Sequence, residues 1–106
     1  MKDDPDYLAY IRLLPCLVCG RNGTEAAHVR YADARAGKPS AGIGRKPIGW
    51  LVPLCREHHR AQHAEGEKAY WAKQGIDPIF VALALHKAAG NVEIGENIIR
   101  HWYFHS

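Results

Sequence analysis

The chain has 106 residues, enough for one domain, with 47% hydrophobic and 24% charged residues and a formal net charge of +3. A domain this short buries only about 60–65% of its unfolded surface, so its core is marginal and an additional staple is expected. The opening "MKDDPDYLAY" lacks a signal-peptide pattern, no apolar run reaches the roughly 18 residues of a membrane span, and three cysteines cannot pair evenly. These features exclude a membrane protein and a disulfide scaffold, and point to a cytosolic chain whose thiols stay reduced and free to bind metal.

In chain order, the acids Asp3, Asp4 and Asp6 precede Tyr7, Ile11 and Leu14 at helical spacing, which predicts a short helix from about residue 5 to Leu14, stopped by Pro15. "PCLVCGRNG" follows as a tight knuckle. "TEAAHVRYA" contains a short strand. Residues 32–49 are rich in glycine, carry Pro39 and Pro47 and show no periodicity, so they form a long loop. "WLVPLC" is a second strand whose proline marks a strand edge or end. "REHHRAQHAEGEKAYWAKQG" is helical, bent or broken near Gly66. "DPIFVALALHKAAG" starts a new helix with Asp77 as N-cap, Pro78 in the first turn and Gly90 as its stop. "NVEIGENIIRHWYFHS" forms a last helix with Gly95 as its weak point. The expected fold class is α+β in a single domain, 1–106, with its core at about residues 15–66 and a helical part at 67–106.

Cys16-x2-Cys19 and Cys55-x2-His58 have the spacing of two halves of a tetrahedral zinc site. An ion held by both would tie the knuckle to the start of the 56–66 helix and contribute folding free energy. His59 and His63, four apart on a helix, share a face and form a second pair. The chain thus offers two metal sites, one structural Zn²⁺ and one exchangeable divalent ion. Three other arrangements fit the same residues: one site from Cys55, His59, His63 and a knuckle cysteine; a Cys16, Cys19, His28, Cys55 site; or plain buried thiols. His101 and His105 are also four apart but have no cysteine nearby, and His86 has no partner in the pattern. These three histidines are expected to pack or to face solvent.

"EAAHVR", "GIGRKP", "VPLCREHHRAQH" and "GIDP" together resemble the HNH, or His-Me finger, endonucleases, in particular a phage-type group related to the recombination-enhancement nuclease Ref. The resemblance spans about residues 7–90 and is most specific in the cysteine and histidine block. It implies a treble-clef-like ββα-metal core in which His28 is the general base and His59 and His63 ligate a catalytic ion. The product ends would be 5′-phosphate and 3′-hydroxyl. An imidazole near pKa 6.5 is suited to take a proton from water at neutral pH. Two positions depart from the pattern: Ala27 stands where many members carry a further ligand, and Trp50 where the family's Asn falls. The ion would then have two protein ligands unless Glu25 or Asp33 supplies a third, and imidazoles favour Zn²⁺, Mn²⁺ or Ni²⁺ over Mg²⁺.

Between residues 30 and 46, Arg30, Arg35, Lys38, Arg45 and Lys46 face the single acid Asp33, a local balance of +4 that leaves the rest of the chain near −1. Such a stretch suits contact with a nucleic-acid backbone. Arg30, two residues beyond His28, is positioned to touch the transition-state phosphate. The expected partner is DNA, with phage or host recombination or packaging proteins in a bacterial cytoplasm. Two rival classes remain: a zinc-stabilised DNA- or protein-binding module without catalysis, and a structural partner that docks through "IIRHWYFHS".

Overall fold

The protein is described by a computed structural model covering residues 4–31 and 50–105. Its first helix, α1 (Pro5–Arg12), is set locally. The Asp4 carboxylate accepts a bond from the Asp6 N–H at 2.9 Å, and Pro5 occupies a first-turn position where its missing N–H has no consequence. Regular α geometry ends at Arg12, two residues before the predicted Leu14, because Leu13 and Leu14 bond to carbonyls three residues back, Tyr10 and Ile11. The Thr24 hydroxyl then donates to the carbonyl of Leu14 at 2.8 Å and lies 3.3 Å from that of Arg12. A buried side chain thereby satisfies helix-end acceptors that would otherwise lack partners.

Strands β1 (Glu25–His28) and β2 (Leu51–Leu54) pair antiparallel, with Glu25 opposite Leu54 and His28 opposite Leu51. All four β2 residues are buried. Pro53 is accommodated by the register. The Val29 N–H bonds the Trp50 carbonyl at 2.9 Å, and alternation from that pair places Ala26 and Pro53 in a non-hydrogen-bonded pair. The proline nitrogen therefore faces away from β1, and the Pro53 carbonyl, facing the same way, accepts the Leu17 N–H at 3.0 Å. That bond docks the knuckle on the outer edge of β2.

The helix expected to bend or break near Gly66 breaks there into two, α2 (Arg56–Glu65) and α3 (Glu67–Gln74). Gly66 ends one and starts the other at φ 89°, a conformation open to glycine and strained for other residues. Helix α4 (Pro78–Lys87) begins as predicted: the Asp77 carboxylate caps the N–H groups of Ile79 and Phe80 at 3.1 and 3.5 Å. The last helix, α5 (Val92–His105), runs without a break.

One buried cluster joins the elements: Ile11 and Leu14 at the end of α1, Leu51, Val52 and Leu54 of β2, Tyr70 and Trp71 of α3, Ile79, Val81 and Leu85 of α4, and Ile99 of α5. Among the described residues, no helix is long and apolar enough to cross a membrane.

Gly95 is a point of close packing, and α5 does not weaken there. A Cβ at this position would stand 2.5 Å from the Tyr10 hydroxyl oxygen and 2.8 Å from Leu14 Cδ2. The Tyr10 hydroxyl is itself held by the Asn91 carbonyl at 3.1 Å. Alanine would gain about 1 kcal/mol of helix propensity but force apart a packed junction, at a cost of about 1–3 kcal/mol. Gly95→Ala is therefore expected to destabilise the protein by up to about 2 kcal/mol in chemical denaturation, whereas the same change at a merely flexible helical glycine would stabilise it.

Candidate metal centre

The knuckle between α1 and β1 is closed by two backbone bonds, Gly20 N–H to the Cys16 carbonyl and Cys16 N–H to the Arg21 carbonyl, both 2.8 Å. This turn brings Cys16 and Cys19 to the same side. Cys55 lies between β2 and α2 as the N-cap of α2, and His58 follows about one helical turn later. Because the Leu17–Pro53 bond holds the knuckle against β2, the two half-sites meet. The ligand atoms of Cys16, Cys19, Cys55 and His58 all lie within 4.8 Å of one another, and this is the one group of three or more such side chains among the described residues.

The separations fit a single ion. Cys19 Sγ lies 3.9 Å from Cys55 Sγ, Cys16 Sγ 3.8 Å from His58 Nδ1, and Cys55 Sγ 3.1 Å from the same nitrogen. A tetrahedron with metal–sulfur bonds of about 2.3 Å has edges of about 3.8 Å. A disulfide needs sulfur atoms about 2.05 Å apart, and all three cysteines are free. Three thiols and one imidazole could thus hold a metal ion such as zinc.

The environment of the thiols is uneven. Burial pushes the Cys16 thiol up to about 11, against smaller lowering contributions from the backbone N–H groups of Cys55, Cys19 and Val18. At Cys55 burial also raises the pKa, but the His58 N–H, the Cys19 and Cys16 thiols and the Arg21 charge outweigh it and leave the group below its ordinary value. A bound cation reverses the penalty on such thiols by binding them as thiolates.

The arrangements that placed Cys55 with His59 and His63, or His28 with the cysteines, are not the ones assembled. His58 turns inward to the cysteines, and the imidazoles of His59 and His63 lie together elsewhere on α2, their centroids 5.0 Å apart and their planes tilted by 36°. His59 Nδ1 is 2.9 Å from Glu25 Oε1. Glu25 is the residue for which the sequence offered the weakest signal, a carboxylate three positions before His28. On a period-two strand it shares a face with Ala27, the position at which a further ligand was missing, and His28 leaves the strand from the other side at its end.

Arg30 lies just beyond β1, exposed, with its backbone N–H 3.2 Å from Glu67 Oε1. Arg35, Lys38, Arg45, Lys46 and Asp33 fall outside the described residues. His101 is exposed and edge-on to Trp102 at 6.2 Å, and His86 is exposed and edge-on to Tyr7 at 5.4 Å.

Over residues 2–92 the chain matches the family described as "Protein of unknown function (DUF968)", and it belongs to that family. No curated protein and no solved structure matches it.

The geometry predicts one firmly held ion per chain when the protein is purified without chelator. Elemental analysis is expected to find it in the native protein and in His63→Ala, and to find little in Cys19→Ser or His58→Ala; retention of a full equivalent in both of the last two would contradict the ligand assignment.

Proposed function

We propose that the protein is a metal-dependent endonuclease of the HNH type, built on a structural zinc and hydrolysing DNA phosphodiester bonds. The observation that carries this reading is the paired His59 and His63 on α2, one of them held by Glu25 of β1, beside the strand that ends in His28. The proposed roles follow from chemistry. With His59 Nδ1 engaged by Glu25, Nε2 is the nitrogen left for a ligand, the arrangement in which a carboxylate fixes the ring and raises its basicity. Glu25 then orients His59, or turns its carboxylate to the ion directly from the face where Ala27 offers nothing.

A divalent ion at this pair, Mg²⁺, Mn²⁺, Zn²⁺ or Ni²⁺, would stabilise charge on the phosphate and on the leaving 3′ oxygen. His28 accepts the proton of the attacking water, and Arg30 offers its guanidinium to the phosphate. The Cys16, Cys19, Cys55, His58 site, filled by zinc, holds α2 against the sheet so that the catalytic side chains keep their spacing.

A second reading, a zinc-stabilised binding module without catalysis, draws support from Ala27, which is fully buried and has no ligand to offer, and from Trp50 in place of the family's Asn.

Plasmid nicking by purified protein across the four ions separates the two readings. The nuclease is expected to nick with at least one ion, and His28→Ala to slow cleavage by about 10²–10⁴-fold with fold and zinc retained. Nicking unaffected by His28→Ala would place the base elsewhere, and no nicking with any ion would leave the binding module. Stripping the zinc is expected to cost several kcal/mol, seen as a fall in Tm of roughly 10 °C or more.

A further inference from the structure

Beside the metal centre lies an open groove of about 630 Å³ lined by Arg21, Asn22 and Gly23 of the knuckle and by Cys55, Arg56, Glu57 and Arg60 at the start of α2. Three guanidinium groups face one carboxylate there. Arg56 and Arg60 are exposed and have no ion-pair partner among the described residues. They stand four residues apart on α2, a spacing at which like charges repel and destabilise a helix. The sole acid in the groove, Glu57, is paired with Arg21 at 3.6 Å, with both side chains largely exposed. Such a surface pair is weak and gives way to a stronger anion. The first turn of α2 adds the positive end of its dipole on the same side.

We propose that Arg21, Arg56 and Arg60 form a binding site for the phosphodiester backbone of a nucleic-acid strand. Two features favour a polyanion over a free phosphate ion. The groove is open and much larger than one phosphate. Its arginine stripe also adjoins the histidine pair on α2, because steps of 100° per residue put Arg56 and Arg60 about 60° from His59 and His63 around the helix. A strand crossing the histidines therefore runs on into the arginines. The site is composite: Arg21 comes from the knuckle and the other two from α2, and these segments meet at the Cys16, Cys19, Cys55, His58 cluster. Phosphate binding here consequently depends on the metal that fills that cluster. The inference deepens the nuclease reading and takes the strand's path over the histidines from it, but it concerns binding, which is measured apart from cleavage.

The test uses the full-length, metal-loaded protein and a fluorescent single-stranded oligonucleotide, with anisotropy recorded over a range of salt and no added catalytic ion. Arg56→Ala/Arg60→Ala is expected to weaken binding about tenfold at low salt and to flatten the slope of log K against log salt by about 0.7 for each phosphate that is no longer neutralised. Lys87→Ala/Arg100→Ala removes the same charge elsewhere and is expected to bind as the native protein does. Equal losses in the two double variants, or native affinity and slope in the first, would overturn the site. If Arg56→Ala/Arg60→Ala loses its metal or its helical circular dichroism, Arg60→Ala alone, two residues beyond the last ligand, carries the same comparison. Inorganic phosphate is expected to displace the oligonucleotide no better than chloride of equal ionic strength. Displacement at low concentration would reveal a free-anion site and overturn the backbone assignment. Native protein that binds in an arginine-dependent way but nicks nothing with any divalent ion would retire the nuclease reading and leave this site standing.

Discussion

Convergence of four side chains from two segments 36 residues apart governs the arrangement of everything else. Cys16 and Cys19 come from a knuckle too short to have a core of its own, and Cys55 and His58 from the junction of β2 and α2. Hydrogen bonding fastens the knuckle to β2 through the Leu17 N–H and the Pro53 carbonyl. In a domain with so little buried surface, an ion held by three thiols and an imidazole would supply a constraint the apolar core cannot. It would also account for a fully buried Cys16, whose thiol burial disfavours as a thiolate.

The same constraint sets the direction in which α2 presents its side chains. With His58 turned into the cluster, rotation by 100° per residue carries His59 to the side of Glu25, His63 beneath it, and Arg56 and Arg60 to an adjoining stripe. A helix of ten residues thus divides its surface between a structural anchor, a pair of imidazoles and a cationic groove.

Local chemistry was readable in advance wherever one short segment contained the whole cause. Asp77-Pro78 starts α4 and Asp4-Pro5 starts α1 because a carboxylate and a fixed φ act over three residues. Cysteine and histidine spacing pointed to Cys16, Cys19, Cys55 and His58 as candidate ligands, since each half-site lies within four residues. Features with causes distant in sequence were misread or missed. Leu14 leaves regular α geometry where Thr24, ten residues on, takes its carbonyl. Gly95 looked like a flaw in α5, yet it is small because Tyr10 and Leu14 of another element press against it. Pro53 lies on a strand edge, as its residue type implies, but that its carbonyl on that edge holds the knuckle was not legible.

By itself the sequence determined the ligand chemistry, the helix starts and the α+β class, because these depend on residue type and short-range spacing. It favoured the Cys16, Cys19, Cys55, His58 set but could not exclude the others, because Cys55 is compatible in helical register with both His58 and His59. Tertiary structure decided that choice by placing the knuckle on the outer edge of β2, which leaves His58 facing three sulfur atoms and His59 facing Glu25. It also assembled the groove of Arg21, Arg56 and Arg60 from segments that show no charge run in sequence, for a surface is made by proximity in space, and only folding supplies that.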